Sequence, residues 1–212
     1  EMQRSLVGSE MCIRDRKYFT EFWPSDNTDP VERLFIQWGF SHFFPVKSMA
    51  AHVTSWGKQP VKFRTDVAMM CKLGFDIRLH EMEPADLQYC KEAVANFKRL
   101  SDVILDGDQY RLKSPYESDH AAFLYANEAQ SKAVLFAFDI HPRYAEMLQS
   151  LRLQGLKKDA RYELKEINLV PGTKSRMPGT MTYSGEFLMK VGIPVFSSRH
   201  TVSHVIEITE VR

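Results

Sequence analysis

Two aspartates three residues apart, Asp26 and Asp29, stand in the run Glu21-Phe-Trp-Pro-Ser-Asp-Asn-Thr-Asp-Pro-Val-Glu-Arg33. A carboxyl group donates a proton when neutral, and accepts one or attacks carbon when charged. Such a pair therefore suits acid–base or covalent chemistry. The two aspartates should not share a duty. Asp29 precedes Pro30 and stands three residues before Glu32, the pattern of a helix N-cap with a capping box. That structural role is sufficient for it. Asp26 has no comparable local duty. It is either an exposed turn residue or Asx-turn, or a group held out for proton transfer, and from the residues alone the turn is the stronger reading.

Three neighbours could serve such a group. Trp23 could line a pocket or fill a core. His52 could hydrogen-bond a hydroxyl or be a satisfied structural group. Arg33 lies a full turn into the helix, which suits a salt bridge on the flank better than the orientation of a catalytic carboxylate. His42, His80, His120, His141, His200 and His204 show no metal-ligand spacing, and Cys12, Cys71 and Cys90 form no CxxC pair. This spacing gives no expectation of a metal site.

The elements that must position these residues follow from periodicity. Lys17–Trp23 reads as a buried aromatic strand, followed by the polar loop Pro24–Thr28. A helix runs from Pro30 to about His42 with Val31, Leu34, Phe35 and Trp38 as its apolar stripe. Met49–Val53 and Leu73–Ile77 read as further buried strands, Phe63–Cys71 and Pro84–Leu100 as helices. Strand, loop and helix in repetition indicate βα units on a parallel sheet. A closed (β/α)8 barrel needs about 250 residues, so residues 17–100 can supply only its last third.

After Leu100 the pattern changes. Val103–Leu105 and Tyr110–Leu112 flank an Asp106-Gly107 turn. Ala121–Ala126, Lys132–Asp139, Arg152–Leu156, Arg161–Ile167, Phe187–Gly192 and His204–Thr209 follow as short strands, with Pro171-Gly172 and Pro178-Gly179 in the gaps. This predicts an antiparallel β-sandwich over residues 101–212, able to fold independently. Residues 1–16 carry neither period. Ser5–Arg16 resembles translated sequencing-adapter read-through, so residues 1–16 are expected to be non-native.

Composition excludes some classes. A net charge of +1 gives no handle for nucleic acid or an acidic membrane, and no apolar run approaches transmembrane length. The 14 Phe, 8 Tyr and 3 Trp are compatible with stacking on sugar rings, although most should fill cores.

The segment Tyr18–Arg33 resembles the S-D-x-x-D-x-x-x-R segment of glycoside hydrolase family 36 α-galactosidases. Ala51-His52-Val53 matches an A-H-V motif downstream of it. Val103–Tyr116 resembles the start of that family's C-terminal β-domain, and Ala133–Phe138 a strand within it. The resemblance runs from about Lys17 to Arg212. It implies an N-terminal β-domain, a (β/α)8 barrel and a small C-terminal β-domain, of which this chain holds the end of the barrel and the last domain. It implies retaining hydrolysis of terminal α-linked galactose, as in melibiose and raffinose, without a cofactor. It makes Asp26 the acid/base.

The departures are specific. The family's nucleophile, an aspartate in a K-W-D-type motif, has no match here, and the cysteine- and glycine-rich loop before the S-D-x-x-D segment is replaced by residues 1–16. The chain alone is therefore expected to be inactive. A non-catalytic carbohydrate-binding or scaffolding module is the alternative of a different class. Transfer of galactose, or cleavage of an N-acetylated analogue, would keep the enzyme and change the reaction. The natural oligosaccharide, the compartment (cytoplasmic or exported) and the oligomeric state, a homo-oligomer included, are left open.

Overall fold

A computed structural model describes residues 20–211 except 56, 145, 176, 178–180 and 198. The expectation for residues 1–16, and the first part of the Lys17–Trp23 strand, lie outside the described residues. So do Trp56 and the Pro178-Gly179 gap.

The first part is a small parallel sheet with helices. Helix α1 spans Pro30–Phe40, strand β1 Ala50–Thr54, helix α2 Val61–Met69, strand β2 Lys72–Asp76 and helix α3 Pro84–Asp106. Strands β1 and β2 run parallel, in a register that pairs His52 with Gly74 and Thr54 with Asp76. Phe22 bridges Met49 in parallel, with Phe22 N donating to Ser48 O at 2.8 Å and Ala50 N to Phe22 O at 3.0 Å. The aromatic segment is thus the next strand of the same sheet, present here as a single bridge. Met49, Ala51 and Val53 are buried beneath the helices together with Leu34, Phe63 and Val67, as one face of a parallel strand requires.

Helix α3 corrects one expectation. Val103–Leu105 is its last turn, not a strand. Tyr89, Cys90, Ala93, Leu100, Val103 and Ile104 are its buried positions, a helical stripe that runs on past residue 101. The β-branched run followed by Asp-Gly mimics a strand and turn, but burial of the helical face decides. The residue after the helix is Gly107, and only glycine fits there, since a Cβ would lie 2.3 Å from Val103 O and 2.5 Å from Ala126 O.

The second part is an antiparallel sheet of six strands: β3 Asp108–Lys113, β4 His120–Ala126, β5 Lys132–Asp139, β6 Arg161–Ile167, β7 Thr182–Ser184 and β8 Val202–Val211, in the order β3-β4-β5-β8-β6-β7. Alternate residues face opposite apolar layers. Phe123, Tyr125, Val134, Phe136, Phe138 and Val205 join the core under α2 and α3. Leu124, Leu135, Ile206 and Ile208 pack instead on Leu151, Leu153, Leu156, Leu188 and Ile193. Burial on both faces explains why β4 and β5 read as continuous apolar runs rather than alternating ones.

Two further expectations change. Phe187–Gly192 is not a strand. Helix α4, Gly185–Lys190, is capped by Ser184 Oγ, which accepts from Phe187 N at 3.2 Å. It is closed by Gly192 at φ +82, whose N–H returns to Phe187 O. Arg152–Leu156 is irregular, with one bridge between Leu151 and Ile193. It serves as a cover of leucines rather than as a strand.

Candidate active site

The loop that leaves Phe22 is built by its own side chains. Ser25 Oγ accepts from Asn27 N at 3.1 Å, Asn27 Oδ1 from Asp29 N at 3.0 Å, and Asp29 Oδ1 from Val31 N at 2.9 Å. Each step is a side chain bonding the backbone two residues on. Residues 25, 27 and 29 therefore hold the loop, while the alternate residues Asp26 and Thr28 line the adjoining concavity. Asp29 also accepts from Glu32 N at 3.2 Å and from Gln59 Nε2 at 3.2 Å, so it is the N-cap. Asn27, rather than Glu32, occupies the Asp29 N–H, which replaces the expected capping box.

Asp26 is exposed and, among the described residues, has no hydrogen-bond or ion-pair partner. The concavity it borders, about 1290 Å³ and open to solvent, lies at the C-terminal ends of the parallel strands. This is where barrels of this class keep their chemistry. Thr54 and Asp76, the last residues of β1 and β2, line it beside Trp23 and His52.

His52 stands against Trp23, ring centroids 4.3 Å apart and nearly edge-on. It lies over Gly74, where a Cβ would come within 2.3 Å of His52 Cδ2. Only glycine leaves room for the ring at that register. Burial lowers the His52 pKa; Asp76 pulls it back up and Arg33 adds to the lowering. At neutral pH the imidazole is therefore uncharged, one nitrogen donating and the other accepting.

Arg33 is 2% exposed and makes no salt bridge among the described residues. It sits under the loop rather than on the flank. Its guanidinium donates to Ser25 O at 3.1 Å and Ala50 O at 3.2 Å, with the Trp23 ring centroid 5.0 Å from Cζ. It ties the residue before Asp26 to β1. Across the concavity, Arg64 of α2 donates to Thr54 O at 2.6 Å, and Thr54 Oγ1 donates to Thr28 Oγ1 at 2.9 Å.

Sequence reasoning missed Thr28, Thr54, Arg64, Asp76 and the far wall of Arg78, Glu81 and Asp86. The positions of Thr54 and Asp76 at predicted strand ends were a usable signal. Arg64, reaching back from a helix, had none. Among the described residues no group of three or more His, Cys, Asp or Glu could hold a metal ion, and no helix is long and apolar enough to cross a membrane.

The Melibiase family model matches residues 11–107, and the glycosyl hydrolase family 36 C-terminal domain model matches residues 120–208. This chain belongs to glycoside hydrolase family 36. Its relatives in that family include a probable α-galactosidase G of Aspergillus terreus, 32% identical over 84% of this chain and 24% of its own length. Another is the α-galactosidase AgaA of Geobacillus stearothermophilus, 31% identical over 83% of this chain and 23% of its own.

Among solved family 36 structures, AgaB of G. stearothermophilus superposes with a TM-score of 0.81 at 29% identity, covering 92% of this chain and 26% of AgaB. A variant of AgaA solved with raffinose gives 0.81 at 28% identity, over 92% of this chain and 26% of that one. The chain thus spans about a quarter of the relatives it matches. Its fold is that of the family's barrel end and following β-domain.

Proposed function

We propose that this chain is the C-terminal part of a retaining α-galactosidase in which Asp26 is the general acid/base. The observation that carries this reading is the alternation in the Ser25–Asp29 loop: every second side chain is spent on the backbone, and the carboxylate left over borders the pocket at the strand ends. Names and bound ligands of family relatives, AgaA variants with raffinose and with stachyose among them, support α-galactosyl oligosaccharides as substrates. We divide the chain at Gly107, where α3 ends, rather than at residue 101. Residues up to Asp106 complete a barrel and those after it form the β-domain.

The mechanism needs a second carboxylate about 5 Å from the first, contributed by barrel strands outside this chain. That group attacks the anomeric carbon. Asp26, neutral at that moment, protonates the departing glycosidic oxygen. As a carboxylate it then takes a proton from the water that releases galactose. Trp23 offers an apolar face for the sugar ring, and neutral His52 a hydrogen bond for a hydroxyl. Asp29 and Arg33 hold the loop without touching substrate.

The test uses the chain joined to its native upstream region. Asp26→Asn should lower raffinose cleavage by about 10²–10⁴, the usual contribution of general acid–base assistance. A dinitrophenyl α-galactoside, whose leaving group needs no proton, should still form the covalent intermediate. Azide, which needs no base, should then restore turnover as the α-galactosyl azide. Raffinose cleavage near the parent rate in Asp26→Asn would overturn the assignment.

A further inference from the structure

The Ser25–Asp29 ladder fixes the shape of the loop but not its place, because each of its bonds begins and ends within the loop and the first turn of α1. The Asp26 carboxylate adds no tie of its own, having no partner among the described residues. Its position is therefore inherited from the backbone on either side. A proton donor must lie within hydrogen-bond reach of the oxygen it protonates, and a misplacement of about 1 Å can cost about 10² in rate. Whatever ties this backbone to the sheet thus acts on the chemistry.

Ties on both sides of Asp26 lead to one strand. Before it, Arg33 joins Ser25 O to Ala50 O, at the start of β1. After it, Thr28 Oγ1 accepts from Thr54 Oγ1 at 2.9 Å, at the end of β1. Gln59, in the loop that follows β1, reaches Asp29 Oδ2 at 3.2 Å through a longer and more flexible arm. Thr54 is a firm anchor. It is 6% exposed, its backbone pairs with Asp76 of β2, and its carbonyl accepts from Arg64 Nη1 of α2 at 2.6 Å. Both threonines are β-branched and stiff about χ1, so a bond between their hydroxyls fixes the two backbones at a set distance. Both also line the pocket that Asp26 borders.

We propose that the Thr28–Thr54 hydroxyl pair positions Asp26 for proton transfer, with Arg64 extending the tie to α2. Thr28 and Thr54 act through the loop backbone rather than on the reacting atoms. The assignment rests on the acid/base reading of Asp26 and names the side chains that aim it. A pair that served only the fold would slow every substrate alike; a pair that aims a proton donor must slow the substrates whose leaving group needs the proton.

The test uses the chain joined to its native upstream region. Thr28→Val and Thr54→Val keep the branched shape and remove the hydroxyl. Each should lower kcat for raffinose by about 10–100-fold, with KM near the parent's. The rate at which a dinitrophenyl α-galactoside forms the covalent intermediate should stay near the parent's, since that step needs no proton. Thr28→Ser should recover raffinose kcat, and the double valine variant should be no slower than either single one, because all three lose the same bond. Should buried Thr54→Val fail to fold, half-buried Thr28→Val decides alone. Parent-like raffinose kcat in Thr28→Val, no recovery in Thr28→Ser, or an equal drop in raffinose cleavage and aryl glycosylation overturns the proposal. Failure of the underlying reading looks different: Asp26→Asn would then cleave raffinose at the parent rate, whereas a tie without effect leaves Asp26→Asn slow and the valine variants normal.

Discussion

Two aspartates of this chain live at opposite extremes. Asp66, on α2, is fully buried and receives four donors: Lys62 Nζ at 2.7 Å, Tyr89 OH at 2.8 Å, Asn168 Nδ2 at 2.9 Å and Ser203 Oγ at 2.7 Å. Those donors come from α2, α3, the turn after β6, and β8, so one carboxylate ties the barrel part to the β-domain. Asp26 has none of this. A carboxylate that accepts four hydrogen bonds is fixed in place, which serves structure. One left unpaired beside a pocket remains free to exchange a proton with a ligand. Burial alone, often used to pick out functional acids, would point to Asp66, which is committed to holding the fold together.

The contrast breaks most visibly in stability. Asp66→Ala removes the acceptor shared by half-buried Lys62 and by Tyr89, Asn168 and Ser203, and removing one partner of a buried ion pair costs about 3–5 kcal/mol. Urea unfolding should show that loss, or no cooperative transition at all. Asp26→Ala should stay within about 0.5 kcal/mol of the parent, as surface changes do. A loss of several kcal/mol for Asp26→Ala would mean that the loop depends on it and that its freedom is misjudged.

Truncation probes the same coupling. One apolar cluster runs from Leu34, Phe63 and Leu100 to Phe123, Phe136 and Val205. Residues 108–212 made alone would expose that face of the sheet, so they are expected to unfold without cooperativity or to aggregate. This replaces the sequence-based expectation of an independent β-domain. A sharp thermal transition of the isolated piece would restore it.

A smaller effect is expected at Gly74. Gly74→Ala drives a methyl into the His52 ring and should destabilise by about 1–3 kcal/mol, the range of overpacking. The double variant with His52→Ala should recover most of that loss, because the clash is pairwise. Additive losses would show that glycine is needed at this position for its backbone alone.

The histidines offer a sharpening by pH. Burial lowers His52, so its unfolded form binds protons that the folded form refuses. Its contribution is full above the ordinary value of 6.5 and falls as pH drops below it. His120 is the reverse. Burial works against its charge, but bonds and charges from Asp139 at 2.8 Å and Glu146 at 3.2 Å outweigh burial and raise its pKa. Its contribution is present below the ordinary value and fades as pH rises through the higher folded one. Comparing Tm against pH for His52→Gln and His120→Gln should show slopes changing with opposite sign.

Much of this was legible because local rules and tertiary packing agree. Asp29-Pro30 caps a helix through its own neighbours Val31 and Glu32, and the apolar runs of β4 and β5, set between turn signals, were read as the buried strands they are. Val103–Leu105 and Phe187–Gly192 were misread for one reason: each is short and apolar, and strand or helix is then decided by what lies beneath it. At the site, Asp26, Trp23 and His52 were candidates in the chain, but the residues alone favoured a turn for Asp26, and only the family resemblance gave it a proton-transfer role. The duties of Ser25 and Asn27 could not be read, because a polar loop does not announce which side chains turn back on the backbone. Arg33's burial was equally hidden, since an arginine one turn into a helix ordinarily faces water.

The smallest expected effect separates cap from acid within one loop. Asp29→Asn keeps an oxygen for Val31 N and Glu32 N, and asparagine caps about as well as aspartate. Stability should change by no more than about 0.5 kcal/mol. In the chain joined to its upstream region, activity should drop modestly on every substrate alike, because a cap adjusts the loop and is indifferent to the leaving group. Asp26→Asn must instead discriminate, failing on raffinose while still being glycosylated by an activated aryl galactoside. Should Asp29→Asn give that discrimination, with rescue by azide, while Asp26→Asn cleaves raffinose normally, then the side chain here drawn as a helix cap is the proton donor. The alternation of the loop would then have to be reversed in solution.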